Sequence, residues 1–343
     1  MGNKSVLMVV AKYPATHGHT TVINNLCIGL GKLGYRTAIA AFSFDKEPPY
    51  NIETVKLNKS KLLRCGIEYL GFDIIHSHQS RVNYYLLFRK PTKPVIMHYH
   101  GASNKIQEIN FKISMWLFKN RITKIISVSN AGISQMKKMI GSVNAQVVYN
   151  GVDTGFYNDN LPTPFKKGEP QLLFVSALRK YKNTTALIDL MPKLLEKYSN
   201  AHLQIVGTGE DFEKLGNLVK ERNLAKNIEL TGSISNDELK LRYSSCDLYV
   251  SASSFEVCPV PPLEAMACGK PLVLYNIEPH REILDMSNAG VIFTSLDPSE
   301  MCLKIEEAYQ NKAIFSDFAT KFAKQHDWSN ICKQLSKIYD DLL

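Results

Sequence analysis

Short apolar runs alternate with amphipathic stretches along the chain, and the alternation breaks once. SVLMVVAKY (5–13) reads as a buried strand, while TTVINNLCIGLGKLGY (20–35) carries apolar residues at helical spacing and stops at Gly34. RTAIAAF, FDIIHSH, KPVIMHYHG and KIISVSN are further strand-sized runs, each closing on polar or small residues. Residues 156–171, FYNDNLPTPFKKGEPQ, then read as an interdomain linker, being rich in Pro, Asn, Gly and Lys. The alternation resumes with LLFVSAL, a helix through TTALIDLMPKLLEKY, and the strands AHLQIVGTG, NIELTGSI, CDLYVSAS, KPLVLYN and GVIFT; the last 40 or so residues read as helical. Apolar strands separated by helices predict parallel sheets covered on both faces. The expected class is α/β, with two doubly wound domains of similar size facing across a cleft. Ligands in such sheets sit beyond the carboxyl ends of the strands, so chemistry is sought in the loops that follow them.

A chain of 343 residues that is 45% apolar can bury two ordinary cores. No apolar run reaches the roughly 20 residues a membrane-spanning helix needs. The opening MGNKSV lacks the Ser or Thr that an acylated N-terminal glycine pattern requires, because Val6 stands there. Seven scattered cysteines without a C-x-x-C predict neither a disulfide framework nor a zinc ribbon, and so a cytoplasmic setting. The net charge of +9 leaves three partners open: nucleic acid, an anionic membrane surface or a phosphorylated substrate. No nucleic-acid motif occurs and the basic residues are dispersed, so nucleic acid is not expected.

Several loops carry candidate chemistry. Gly18 stands between the first strand and its helix, where backbone N–H groups can approach a phosphate; taken alone, a simple tight turn is the favoured explanation. The full G-x-G-x-x-G fingerprint is absent, and VGTGED (206–211) is a fragment of it, which argues against a dehydrogenase. His76 and His78, then His98 and His100, each share a strand face and so could suit a metal. With no evident third ligand and no D-x-D, no metal is expected. His100, followed by Gly101 at a strand end, is expected to point into the cleft. Arg179, Lys180 and Lys182 follow the first strand after the linker and could grip a diphosphate. In FEVCPVPPLEAMACGKP, Pro262 fits a first helical turn, placing Glu264 in that turn and Glu256 at the preceding strand end.

At these residues the chain resembles the retaining glycosyltransferases of family 4, which have the GT-B fold of two Rossmann-like domains. Glu256 and Glu264 occupy the two positions of that family's E-x7-E motif, and GHTTVINNLCIGLGKLGYRT, VIMHYHG, VVYNGVD, LQIVGTGED and CDLYVSASSFE are similar to its other segments in order. The resemblance implies an acceptor-binding domain at 1–160, a nucleotide-sugar-binding domain at 161–326 and a terminal helix at about 327–343 packing back onto the first. It implies that Glu264 binds the ribose, that Glu256 sits near the transferred sugar, and that Arg179 and Lys182 hold the diphosphate with Gly18 facing them. His100 would reach the donor sugar, and the base would lie against Gly207 and Gly232. It further implies retention by front-side attack, with no metal and no cofactor. Two segments depart from the family. Val257-Cys258-Pro259 replaces the usual Gly-Phe-Gly, so phosphate donation falls to the N–H groups of Cys258, Val260 or Leu263. Ala177 stands where an Arg is common, and Arg179 is its expected substitute.

Two basic segments with apolar interleaving, 56–71 and 104–124, lie in the first domain. Such helices either pack on a sheet or lie on anionic membranes. The expected acceptor is therefore a glycan or a lipid-linked or membrane-associated molecule, with the protein peripheral at the inner membrane face. An epimerase or hydrolase of nucleotide-sugars, and a non-catalytic nucleotide-sugar-binding protein, are the competing readings.

Overall fold

The computed structural model describes residues 4–15 and 18–343; Met1-Gly2, where the acylation pattern would apply, lies outside them. The chain divides into two compact units. One runs to Gly151 and includes Trp328–Leu343; the other is Val152–Asp327.

The first unit holds a seven-stranded sheet of β1 (Ser5–Val9), β2 (Arg36–Ala41), β3 (Glu53–Lys56), β4 (Ile74–Ser77), β5 (Val95–Tyr99), β6 (Lys124–Ser127) and β7 (Gln146–Val147). Its order is β3-β2-β1-β4-β5-β6-β7, and every pairing is parallel. Every residue of β1 and β5 is buried, as apolar runs covered on both faces require. Three helices matter below: α1 (His19–Lys32), α2 (Lys59–Cys65) and α3 (Lys105–Phe118). Asn104 caps α3 by accepting from the Gln107 N–H, which fixes where that helix starts.

The second unit holds a six-stranded, all-parallel sheet: β8 (Gln171–Val175), β9 (His202–Val206), β10 (Ile228–Gly232), β11 (Leu248–Ser251), β12 (Leu272–Tyr275) and β13 (Gly290–Phe293), in the order β10-β9-β8-β11-β12-β13. Both of its faces are packed. Leu172, Phe174, Leu203 and Ile205 fill one face, and Leu173, Val206, Tyr249 and Leu274 fill the other. Three of its helices carry site residues, α4 (Asn236–Ser245), α5 (Val260–Ala267) and α6 (Glu278–Ser287). Both sheets reverse direction of strand addition beside their first strand, the arrangement of doubly wound folds.

Two expectations change. The single helix foreseen through 184–198 is two, Thr184–Asp189 and Met191–Lys197, because Pro192 supplies no N–H and starts the second. The boundary foreseen at 160 falls at Gly151/Val152, since Phe156 and Tyr157 pack in the second unit's core. The chain leaves that unit beside its entry: Val152 bridges Asp327, whose carboxylate also accepts from the Thr154 N–H and hydroxyl. The terminal helix Trp328–Asp340 belongs to the first unit. Its Cys332 lies against Gly29 of α1, and Tyr339 Oη is 2.5 Å from His76 Nδ1.

Candidate functional site

Two loops of the second unit meet because the strands before them are neighbours. β8 pairs with β11 through Leu172–Leu248 and Leu173–Tyr249, so the segments leaving both strands emerge side by side. They are stitched at several points. The Ser254 N–H donates to Tyr181 O at 2.8 Å, Asn183 Nδ2 donates to Ala252 O at 2.9 Å, and the Tyr181 and Phe255 rings meet edge to face. Across this seam Lys182 and Glu256 form an ion pair whose side chains are 12% and 17% exposed. Asn183 holds the turn in the left-handed region (φ 50), which suits an Asn. Arg179 precedes the short turn Lys180–Lys182 in extended conformation, and its carbonyl accepts from the Lys182 N–H at 2.8 Å, closing that turn.

The proline run then starts a helix. Pro259 is the N-cap of α5, and Pro261 and Pro262 occupy its first turn, where missing N–H groups cost nothing. The helix therefore begins at Val260. Glu264 lies in its second turn rather than the first, so the helix dipole does not explain it. Glu264 is instead held by tyrosines: Tyr243 Oη on α4 donates to its Oε2 at 2.7 Å, and the Tyr157 hydroxyl bonds it too. Burial raises its carboxyl above the ordinary value while the two hydroxyls pull it back. The site also contains His280, fully buried, with Nδ1 2.8 Å from Tyr275 O. Burial lowers it to about 4, and the nearby charges of Glu256 and Lys182 push it in opposite directions. Sequence reasoning missed Tyr157, Tyr243 and His280; the one available signal was that His280 follows a strand closely, in YNIEPHRE.

Gly207 and Gly232, at the ends of adjacent strands, are bonded to each other through Gly207 N–H to Gly232 O at 2.9 Å. A Cβ on Gly207 would lie 1.9 Å from Ser176 O, so only glycine fits. Of the residues expected to donate to phosphate, Cys258 is half-buried before the α5 cap, Val260 is the first helical residue and Leu263 is buried.

In the first unit Gly18 caps α1 in the left-handed region (φ 76), with no described residue where a side chain would stand. His100 does not stand alone at its strand end. Its Nε2 is 2.9 Å from His78 Nδ1, and its ring lies 4.5 Å from that of His19. His78 Nε2 in turn lies 3.3 Å from Met8 Sδ. β4 and β5 are neighbours, so both histidine pairs fall on one patch of the sheet, where His76 and His98 stack at 5.1 Å with ring planes 12° apart. Burial drives all four imidazoles toward the neutral form. The expectation that no third metal ligand exists is corrected: nitrogens of His76, His78 and His98 lie within 4.8 Å of one another, the set that could hold a transition metal. Two features oppose it. His76 Nδ1 is engaged by Tyr339, and the His76 and His98 rings stack within 12° of parallel rather than turning toward a common point.

Residues 16–156 match the Glycosyltransferase Family 4 model, and residues 159–329 match the model for glycosyl transferases group 1. The chain is 27% identical to an uncharacterised glycosyltransferase of Methanocaldococcus jannaschii, over 98% of both chains. It is 24% identical to a phosphatidyl-myo-inositol mannosyltransferase of Mycolicibacterium smegmatis, covering 85% of this chain and 78% of that one. Among solved structures, Anabaena HepE in complex with UDP and glucose matches with a TM-score of 0.83 at 16% identity, over 98% and 99% of the two chains. Sucrose-phosphate synthase from Thermosynechococcus elongatus matches at 0.80 and 16%, over 99% of both. These likenesses establish the GT-B fold.

Proposed function

The chain belongs to the glycosyltransferases, joining a family 4 domain to a group 1 domain, and from that premise we propose that it moves a sugar from a nucleoside-diphosphate sugar to an acceptor hydroxyl. In this reading transfer retains the anomeric configuration and needs no metal, and the acceptor is lipid-linked or membrane-associated.

The observation that carries the reading is the Lys182–Glu256 pair at the carboxyl ends of two adjacent strands, with Glu264 on the helix that follows. During transfer the bond between the anomeric carbon and the diphosphate oxygen breaks, and its electron pair leaves with the diphosphate. The Lys182 ammonium, already held in place by Glu256, offers that developing charge a fixed counter-charge, with Arg179 beside it. A donor that needs no reorganisation contributes on the order of 3 kcal/mol to such a step. The acceptor oxygen bonds the anomeric carbon on the face the diphosphate leaves, and the acceptor proton goes to the departing diphosphate. Glu256 orients the sugar rather than attacking it, and Glu264 takes the ribose hydroxyls. Support for the donor class comes from Anabaena HepE, whose structures contain UDP with glucose and UDP-glucose. Support for a lipid-linked acceptor comes from the mycobacterial relatives named as phosphatidyl-myo-inositol mannosyltransferases.

A thermal-shift panel of nucleotide-sugars tests the reading, since a ligand that binds the native state raises the melting temperature. At least one is expected to do so in the presence of a chelator. Absence of a shift with every nucleotide-sugar would overturn the donor assignment. Release of nucleoside diphosphate at full rate without an acceptor would reassign the chain as a hydrolase or epimerase.

A further inference from the structure

Helix α3 has two apolar faces, and the fold uses one. Phe111, Ser114, Met115 and Phe118 are buried. Ile106, Ile109, Ile113, Trp116 and Leu117 are exposed by 72, 54, 42, 80 and 45%. At about 100° per residue these five fall within an arc of roughly 100°, opposite the buried face. A helix that only packs on its sheet places polar residues there.

The charge beside this ridge is one-sided. Lys105, Lys112 and Lys119 recur every seven residues and so line one flank, and Arg121 and Lys124 continue beyond the helix. Across 104–124 these five cations face a single carboxylate, Glu108. No carboxylate among the described residues neutralises Lys105, Lys112, Lys119 or Lys124. Beside Trp116 a groove of about 650 Å³ opens, floored by Ile122 and Val143 and rimmed by Lys112, Lys119 and Lys124. An apolar ridge flanked by unpaired lysines is complementary to the acyl boundary and phosphate layer of an anionic bilayer. The other basic segment has no such face. Leu57, Leu62, Ile67 and Leu70 are buried, and Lys59 and Lys61 lie over the rings of Phe42, Tyr85 and Tyr69.

We propose that α3 is a membrane-docking helix. It lies in the plane of an anionic bilayer, inserts Ile106, Ile109, Ile113, Trp116 and Leu117, and sets its lysine row against lipid phosphates. The helix is about 21 Å long, enough to lie flat and too short to span. As an account of where the acceptor is met, this rests on the transferase reading; as a docking surface it stands on α3 alone.

Flotation of the full chain with vesicles of phosphatidylcholine containing one quarter phosphatidylglycerol, without donor, tests it. The wild type is expected to float at low salt, to be released at high salt, and to float poorly with pure phosphatidylcholine. Trp116 emission is expected to shift to the blue on binding; the one other tryptophan, Trp328, is buried and reports little. The double variant Ile109→Ser/Trp116→Ser is expected to partition about tenfold more weakly or less, and Lys112→Glu/Lys119→Glu to lose the preference for phosphatidylglycerol. No flotation of the wild type, or equal flotation of the Ser variant, would overturn the proposal. So would a wild-type dimer in sedimentation that the Ser variant breaks, which would assign the ridge to a second copy. Both variants should keep any nucleotide-sugar thermal shift, so failure of docking and failure of the donor reading are read separately.

Discussion

Lys182 and Glu256 lie 74 residues apart in sequence and close an ion pair across the seam between two strand-end loops. Neither loop would hold its charge in place alone. The pairing of β8 with β11 brings the loops together, and the Tyr181–Ser254 and Asn183–Ala252 bonds set their register. The pair therefore serves the fold as well as the chemistry, and its two contributions are separable.

On the stability side, Lys182→Ala and Glu256→Ala each leave one largely buried charge without its partner. Each is expected to destabilise the second unit by about 2 kcal/mol, between the costs typical of surface and of fully buried pairs. The double variant should be less destabilised than the sum of the two. Urea midpoints for the four proteins check this; strict additivity would mean the pair contributes no coupling.

On the chemical side, the two glutamates should part company. Glu264 is gripped by Tyr243 and Tyr157, and Glu256 by Lys182. Glu264→Ala is expected to raise the donor KM with little change in kcat, and Glu256→Ala mainly to lower kcat. Tyr243→Phe, which removes one bond to the Glu264 carboxylate, should follow Glu264→Ala at a cost of about 1.5 kcal/mol in donor binding. The reverse pattern of KM and kcat would exchange the two roles.

The histidine patch gives the first unit an acid sensitivity whose sign is fixed. Burial holds His76, His78 and His100 well below the ordinary 6.5 and His98 at about 3. In the unfolded chain each takes up a proton near 6.5, so below that pH the unfolded state binds more protons and stability falls as pH falls. The contribution is complete above about 6.5 and is lost progressively toward 3, at about 1.4 kcal/mol per pH unit for each group that titrates only when unfolded. Between pH 6.5 and 5, before most carboxylates titrate, the urea midpoint should drop steeply. His98→Gln should make that slope shallower; an unchanged slope would remove the patch as its cause.

The strands were legible because parallel sheets covered on both faces need near-continuous apolar runs, and VLMV in β1, VIM in β5 and LVL in β12 are such runs. Glu256 and Glu264 were legible because prolines cannot continue a strand and do fit a first helical turn. What stayed hidden depends on which strands are neighbours. Alternation placed His76 with His78 and His98 with His100, but the adjacency of β4 and β5 makes one patch of four and recruits His19 from α1. Tyr243 and His280 reach the site from helices 21 and 16 residues away from Glu264, in directions that periodicity does not encode. The boundary at Gly151 was masked because 156–171 has linker composition, yet its Tyr157 packs against Tyr243 in the second unit.

Two glycines expected at the same ligand should respond differently to alanine. Gly207 has φ +124, and an added Cβ would meet the Ser176 carbonyl oxygen at 1.9 Å. That oxygen belongs to the backbone and cannot swing aside, so the Gly207–Gly232 bridge must move. Gly207→Ala is expected to lose on the order of 3 kcal/mol of stability through strain and clash together. Gly18 has φ +76 with nothing among the described residues within 4 Å of the added atom, so Gly18→Ala should cost about 1 kcal/mol, the conformational penalty alone. A methyl there would nonetheless stand where a diphosphate is proposed to approach the α1 N-terminus. Gly18→Ala should therefore weaken donor binding out of proportion to its small effect on folding. Paired measurements of urea midpoint and donor affinity check it: normal affinity in Gly18→Ala would place the diphosphate away from α1, and a Gly207→Ala protein as stable as wild type would mean the Ser176 contact can relax.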